Sequence, residues 1–307
     1  MSEGLFKDDD LIRVIGREGV LIAAGGAASL LQTAHPKVAQ GVYDHSYSAD
    51  DPARRLRNTM GWLYTVQFGT REEAEALSAL VTKGHDAVTG PGYRANDPEL
   101  QVWVASTLFA VAAQFYQLLF RRKLSRAELE EFYGQTKIYA TILGCPEDRM
   151  PETYADFREY YAHMLQTLEV NDVSRSIADR VLNPKLPGGP LAAPGLAAIR
   201  LLTAGLMPVP IREQYGWRWD AGRRLRFRLL IGVLQVVYPR LPLRIRTLPR
   251  DVYPASMRRM LAKTKRRPAI SVRTDGPAGS PGSPGPPGSP GTGGAGGPGG
   301  KGEGAAA

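Results

Sequence analysis

Apolar positions recur along this chain at intervals of three and four residues, and short polar turns interrupt them. That is the period of an amphipathic helix, so helices are expected almost throughout. Residues 20–33 are small and apolar and include Gly25-Gly26. Such a pair weakens a helix but lets another helix or a flat ligand approach the backbone. Pro36 breaks the run after His35, because the residue before a proline avoids helical geometry. Asp51-Pro52 and Asp97-Pro98 each join an N-cap residue to a first-turn proline, predicting helices over 53–68 and 98–121. Between them, Thr70 to Glu73 is a capping box that opens a helix running to about 88. Ser125 and Glu128 form a second box, whose helix ends near Gly144. After Pro151, the residues Tyr154, Phe157, Tyr161 and Met164 share one face, which predicts a core-facing helix. A proline-rich turn at 183–190 precedes helices expected near 192–205, 220–238 and 252–265.

No sustained alternation of apolar and polar residues is bounded by turn residues, so strands are not expected. The pattern predicts an all-α fold, a single multi-helix bundle over 11–250. A basic C-terminal extension over 251–275 and a low-complexity tail over 276–307 complete the chain. In the tail, glycine stands at every third position from Gly276 to Gly300. That is the collagen spacing, but the run is short, and a disordered Gly/Pro-rich tail is the expectation.

Composition narrows the function. With 43% hydrophobic and 22% charged residues over 307 positions, the chain can bury a sizeable core. Its one cysteine, Cys145, excludes an internal disulfide and cysteine-rich metal centres. P-loop, dinucleotide-binding, zinc-protease and nucleophile-elbow motifs do not occur. Residues 1–210 hold 21 basic and 25 acidic side chains, whereas residues 211–273 hold 17 basic and 3 acidic. The basic segment could rest on an anionic membrane surface; nucleic acid is the less expected partner. The acidic N-terminus lacks the features of a signal peptide, so a cytoplasmic protein is expected, with peripheral membrane contact as an option. The apolar run from Val102 to Phe120 carries Ser106, Thr107, Gln114 and Gln117, and it reads as a core helix rather than a membrane span.

The residues that carry chemistry lie between 33 and 107. His35, His45 and His85 fall at three predicted helix ends that could converge, each able to supply an imidazole to iron or shuttle a proton. Arg55, Arg57, Asn58 and Thr59 lie on the next helix, where Arg55 and Thr59 share a face. No two histidines stand three or four residues apart, so no single-helix metal motif is present. His163, on the aromatic helix, reads as structural.

These residues carry a resemblance. The run from Ala34-His35-Pro36 to His45-Ser46 begins it, followed by Asp51-Pro52, Arg55-Leu56 with Thr59, and Phe68-Gly69-Thr70. His85 with Val88 and Gly90, Tyr93 to Val104, Met150-Pro151 and Leu201 to Leu206 continue it. Over residues 11–250 the sequence resembles the MpaB-type oxygenase family, which includes the latex-clearing rubber oxygenases. The resemblance implies an all-helical oxidoreductase that holds haem b and uses dioxygen on an apolar small molecule. It further implies that the iron's axial histidine occupies the position held here by Ala105, within Trp103-Val104-Ala105-Ser106-Thr107-Leu108. A methyl group cannot bind iron, so His35, His45 and His85 become the candidate ligands. Asn58 departs too, standing where the rubber oxygenases carry lysine. On this reading Arg55, Asn58 and Thr59 would hydrogen-bond dioxygen. Arg57 and neighbouring arginines would pair with haem propionates, and Trp62, Tyr64, Phe68 and Trp103 would line an apolar pocket. The alternative is a degenerate family member that binds an apolar ligand without redox chemistry.

Overall fold

The computed structural model describes residues 3–45, 52–184 and 193–266. The expected tail, the proline-rich turn and Asp51 therefore lie outside the described residues. The described residues fall in one unit, Met1–Arg267. Among the described residues the fold is all-α, with one hairpin of two-residue strands.

Helix starts follow the capping chemistry. Thr70 accepts from the Glu73 amide at 3.2 Å while Glu73 accepts from the Thr70 amide at 3.1 Å, opening Arg71–Asp86 (α5). Ser125 and Glu128 do the same for Arg126–Thr136 (α7). Asp97 caps Pro98–Phe120 (α6) through the Glu99 amide. Each such cap is worth about 1 kcal/mol. A third box, Thr153 with Asp156, opens the aromatic helix Tyr154–Thr167 (α9).

Before these lie Leu11–Gly16 (α1), Gly25–Gln32 (α2), Pro36–His45 (α3) and Pro52–Phe68 (α4). The stretch expected as one helix over 20–33 is split: Gly19–Ala24 winds as a 3-10 turn and α2 begins at Gly25. The helix expected to run on to Gly144 also divides, into α7 and the short Ile138–Thr141 (α8). The second half holds Asp172–Leu182 (α10), Ala193–Leu206 (α11), Val209–Gln214 (α12) and Ala221–Val237 (α13). Leu243–Arg246 (α14) and Leu248–Arg266 (α15) end it.

α6 is the axle. One side of it, with Val102, Ala105, Phe109 and Ala113, joins a core built from α1, α4, α5, α7 and α9. The other side, with Trp103, Val111, Phe115 and Leu119, joins a second core with α2 and α10 to α13. Burial on two sides accounts for a helix that is apolar nearly all round. Among the described residues α6 alone is long and apolar enough to cross a membrane, and it is mostly buried. At Gly26 the expected close approach is that of a helix: a Cβ there would sit 2.7 Å from the Thr203 hydroxyl of α11.

Candidate active site

α4 and α5 form an antiparallel helical pair across the Gly69 turn. The Trp62 indole N–H donates to the Ser78 hydroxyl at 2.9 Å, which fixes the register. Seven residues from each of these, about 10 Å further along, lie Arg55 and His85. The open end of the pair thus carries Arg55, Asn58 and Thr59 on α4 and His85 on α5. Arg57, Asn58 and Thr59 are exposed. Burial lowers the Arg55 guanidinium below its ordinary value, and no carboxylate pairs with it among the described residues.

The three histidines gather around the loop that links α5 to α6, each held differently. That loop contains the hairpin Thr89–Gly90 (β1) and Tyr93–Arg94 (β2), with Gly92 at φ 82 making the turn. Gly92 supplies a left-handed conformation that other residues adopt at a cost. His45 Nε2 lies 3.0 Å from the Thr89 carbonyl and 3.0 Å from the Tyr93 hydroxyl. A carbonyl only accepts, so Nε2 carries the proton. The Tyr93 hydroxyl in turn donates to Asp44 at 2.7 Å. Burial and the facing Asp44 carboxylate push that phenol up to about 12, so it stays protonated. His35 Nδ1 accepts from the Lys37 amide at 3.2 Å, which leaves its proton on Nε2.

His85 differs from both. Its Nδ1 and the Asn96 Oδ1 are both buried without a hydrogen-bond partner, and Asn96 lies near enough to the ring to offset part of its burial shift. Asn96 cannot flip, because its amide N–H groups donate to Asp86 at 2.7 Å and to the Thr82 carbonyl at 3.3 Å. A proton on His85 Nδ1 is the one such a pair could share, and it would leave the lone pair on Nε2. Burial pushes His85 below the usual histidine value, and Asn96 and Asp86 offset this only in part. The ring is therefore neutral near pH 7.

An apolar cavity of about 100 Å³ is lined along α4 by Met60, Leu63, Tyr64 and Gln67. Gly25 and Ala28 of α2, Leu108 and Ala112 of α6, and Tyr139 of α8 close it. Burial raises the Tyr64 and Tyr139 phenols, so neither is a phenolate at neutral pH. Gln67 donates to the Tyr139 hydroxyl at 2.8 Å while its own carbonyl oxygen is buried without a partner. Ala105, one turn above Leu108, is 2% exposed.

The expected aromatic pocket is only partly assembled. Tyr64 lines the cavity, with Phe68 stacked on it at 5.8 Å. Trp62 turns instead toward α5. Trp103 lies in the second core, stacked on Tyr161 at 6.0 Å, and donates to the Gln32 carbonyl. His163 is exposed on α9. Among the described residues no three of His, Cys, Asp and Glu converge on a metal site.

Whether haem fits this donor set turns on the lone pairs. The cavity wall offers no imidazole and no thiolate. His35 and His45 each have Nε2 protonated. His85 Nδ1 has no closed hydrogen bond among the described residues, and burial keeps the ring neutral near pH 7, which suits an imidazole to a metal. His85 is the described histidine whose chemistry best suits iron, but it does not line the cavity. Asn96 is the residue that sequence reasoning missed, since nothing local pairs it with a histidine eleven positions earlier.

The fold defines the class: an all-helical bundle built around an apolar cavity. Residues 12–236 match the family described as ER-bound oxygenase mpaB/B'/Rubber oxygenase, catalytic domain, and the chain belongs to that family. It is 26% identical over 216 residues to two uncharacterised mycobacterial proteins, Mb2261 of Mycobacterium bovis and Rv2237 of Mycobacterium tuberculosis. The match covers 67% of this chain and 84% of each relative. No solved structure matches the chain significantly.

Proposed function

We propose that this protein is a haem-dependent oxygenase that acts with dioxygen on an apolar small molecule, and that His85 takes the iron-binding role that Ala105 cannot. The observation that carries the reading is the buried His85 ring, held neutral and with Nδ1 free of a closed hydrogen bond. Haem, when bound, supplies the activation of dioxygen. The chain's own residues do the rest. Arg55 offers an unpaired, desolvated guanidinium suited to a carboxylate. Asn58 and Thr59 offer hydrogen-bond donors at the same end. The cavity walls exclude water and take an apolar group: about 100 Å³ accommodates a small hydrocarbon or a short stretch of a longer one.

The test is haem content by pyridine haemochrome on protein expressed with ample haem precursor. Wild type is expected to carry haem, and His85→Ala is expected to lose it, while His35→Ala and His45→Ala retain it. A colourless wild-type protein sinks the reading. The buried methyl of Ala105 favours a second one, a helical protein that binds an apolar ligand without redox chemistry. If Ala105→His creates haem binding absent from the parent, that second reading stands.

A further inference from the structure

Among the described residues the outer face of α13 has no partner. Ile231, with Phe227, Leu230 and Leu234 beside it, packs inward on the second core. On the opposite side Leu225, Leu229, Val233 and Val236 stand 51–60% exposed at helical spacing. The exposed apolar series continues along the chain in α14, where Leu243 and Ile245 are 52% and 57% exposed. A soluble protein rarely leaves so many large apolar side chains in water on consecutive elements without a use for them.

The charge around this face is mostly of one sign, with Asp220 at the start of α13 the exception. Arg226 and Arg228 flank the stripe on either side, and Arg223 and Arg224 precede it on the first turn of α13. Arg240 and Arg244 follow. Arg224, Arg226, Arg228, Arg240 and Arg244 form no ion pair among the described residues. Contrast Arg246 and Arg258, which the fold consumes on Glu18 and Glu73. Of the arginines near the stripe, Arg224 and Arg240 donate to the Trp219 and Val236 carbonyls, while Arg226, Arg228 and Arg244 are left to meet an external anion.

We infer that the α13–α14 face seats the protein on an anionic lipid surface, with the leucines and valines entering the headgroup boundary and the arginines meeting lipid phosphate and carboxylate. An apolar stripe flanked by basic residues is the arrangement that binds such an interface. A second copy of this chain fits less well, because two like-charged faces would oppose each other. Nucleic acid would use the arginines but leave the apolar stripe wet. The inference is independent of haem.

The test is co-sedimentation of the full chain with vesicles of phosphatidylcholine, with and without phosphatidylserine. Binding is expected with phosphatidylserine, reduced by salt but not abolished, and weak without it. Arg226→Gln and Arg228→Gln are each expected to weaken it about fivefold. Leu229→Gln with Val233→Gln is expected to leave the melting temperature unchanged, since both are exposed, yet to lower the binding that persists at high salt. Equal binding to both vesicle types, or no binding, overturns the proposal. So does undiminished binding by the Leu229/Val233 variant, which would assign the attraction to charge elsewhere. Concentration-dependent dimerisation that the same variant abolishes would give the face to a second copy instead.

Discussion

His35 and His85 are each held below the ordinary histidine value of 6.5, first by burial. For His35 the Lys37 ammonium adds to the shift, against Glu99 and Asp97. The sign for stability follows from which state takes the proton first. In the unfolded chain both rings protonate as the pH falls through about 6.5, while in the folded chain they resist until lower pH. Stability should therefore be full above 6.5 and decline as the pH drops below it, levelling off once the folded rings also titrate. The lowered carboxyls Asp44, Glu128 and Asp156 start from ordinary values of 3.8 to 4.5, so their effect belongs to a lower window. Urea unfolding between pH 5 and pH 7.5 should show this slope, and a double His35→Gln, His85→Gln variant should flatten it. An unchanged slope in the variant would remove the histidines as its cause. Sequence position could show that three histidines sit at helix ends, but not how their protons are arranged. That depends on the partners Asn96, Thr89 and Tyr93, which only the folded loop brings near.

At the scale of elements, the segment between α1 and α2 is pinned to the C-terminal helices by a buried charge. Glu18 accepts from Arg246 at 2.6 and 3.0 Å and from the Tyr238 hydroxyl at 3.0 Å. The Arg246 guanidinium also lies over the Phe120 and Tyr238 rings. The Glu18 and Arg246 side chains are only 3% and 16% exposed. Removing one partner of such a pair strands the other, at a cost of about 3–5 kcal/mol. Glu18→Ala should lose that much in denaturant unfolding, and Glu18→Ala with Arg246→Met should recover a large part. If the double variant is as unstable as the sum of the singles, the two groups are not coupled. This pin joins residues more than two hundred positions apart, and no local pattern announces it. What was legible is what local chemistry decides: the boxes at Thr70 and Ser125 and the cap at Asp97 stand where the sequence puts them. The β1–β2 hairpin is too short for a period-2 pattern to register. The 3-10 turn over Gly19–Ala24 follows from packing that apolarity alone does not encode. The cavity is equally illegible, since Gly25, Met60, Leu108 and Tyr139 meet only through tertiary packing.

For the molecule as a whole, the family match ends at residue 236, yet the first core extends past it. α15 lies along α4 and covers most of the stretch expected as a basic extension. Tyr253 stacks on Tyr64 of the cavity wall at 5.3 Å, nearly parallel. Met257 is buried against Gly61, where a Cβ would meet its sulfur at 2.7 Å. Arg258 donates to Glu73 at 2.6 Å, so one carboxylate both caps α5 and holds α15. Burial alone would raise Glu73, but the Arg258 and Thr70 hydrogen bonds overcome it and lower the carboxyl. Cavity and clamp are thus mechanically one: Tyr64 is walled by the residues that α15 supplies. Met257→Ala should cost about 2–5 kcal/mol, the usual range for emptying a buried methionine site. At roughly 2–4 °C per kcal/mol for a chain of this size, the melting temperature should fall by at least several degrees. A chain ending after Arg250 loses Tyr253, Met257 and Arg258 together and should melt lower still, with its Tyr64 fluorescence exposed to quencher. Were that truncated chain to melt with the full one, α15 would be an appendage, and the wall of the cavity would have to be sought within residues 12–236 alone.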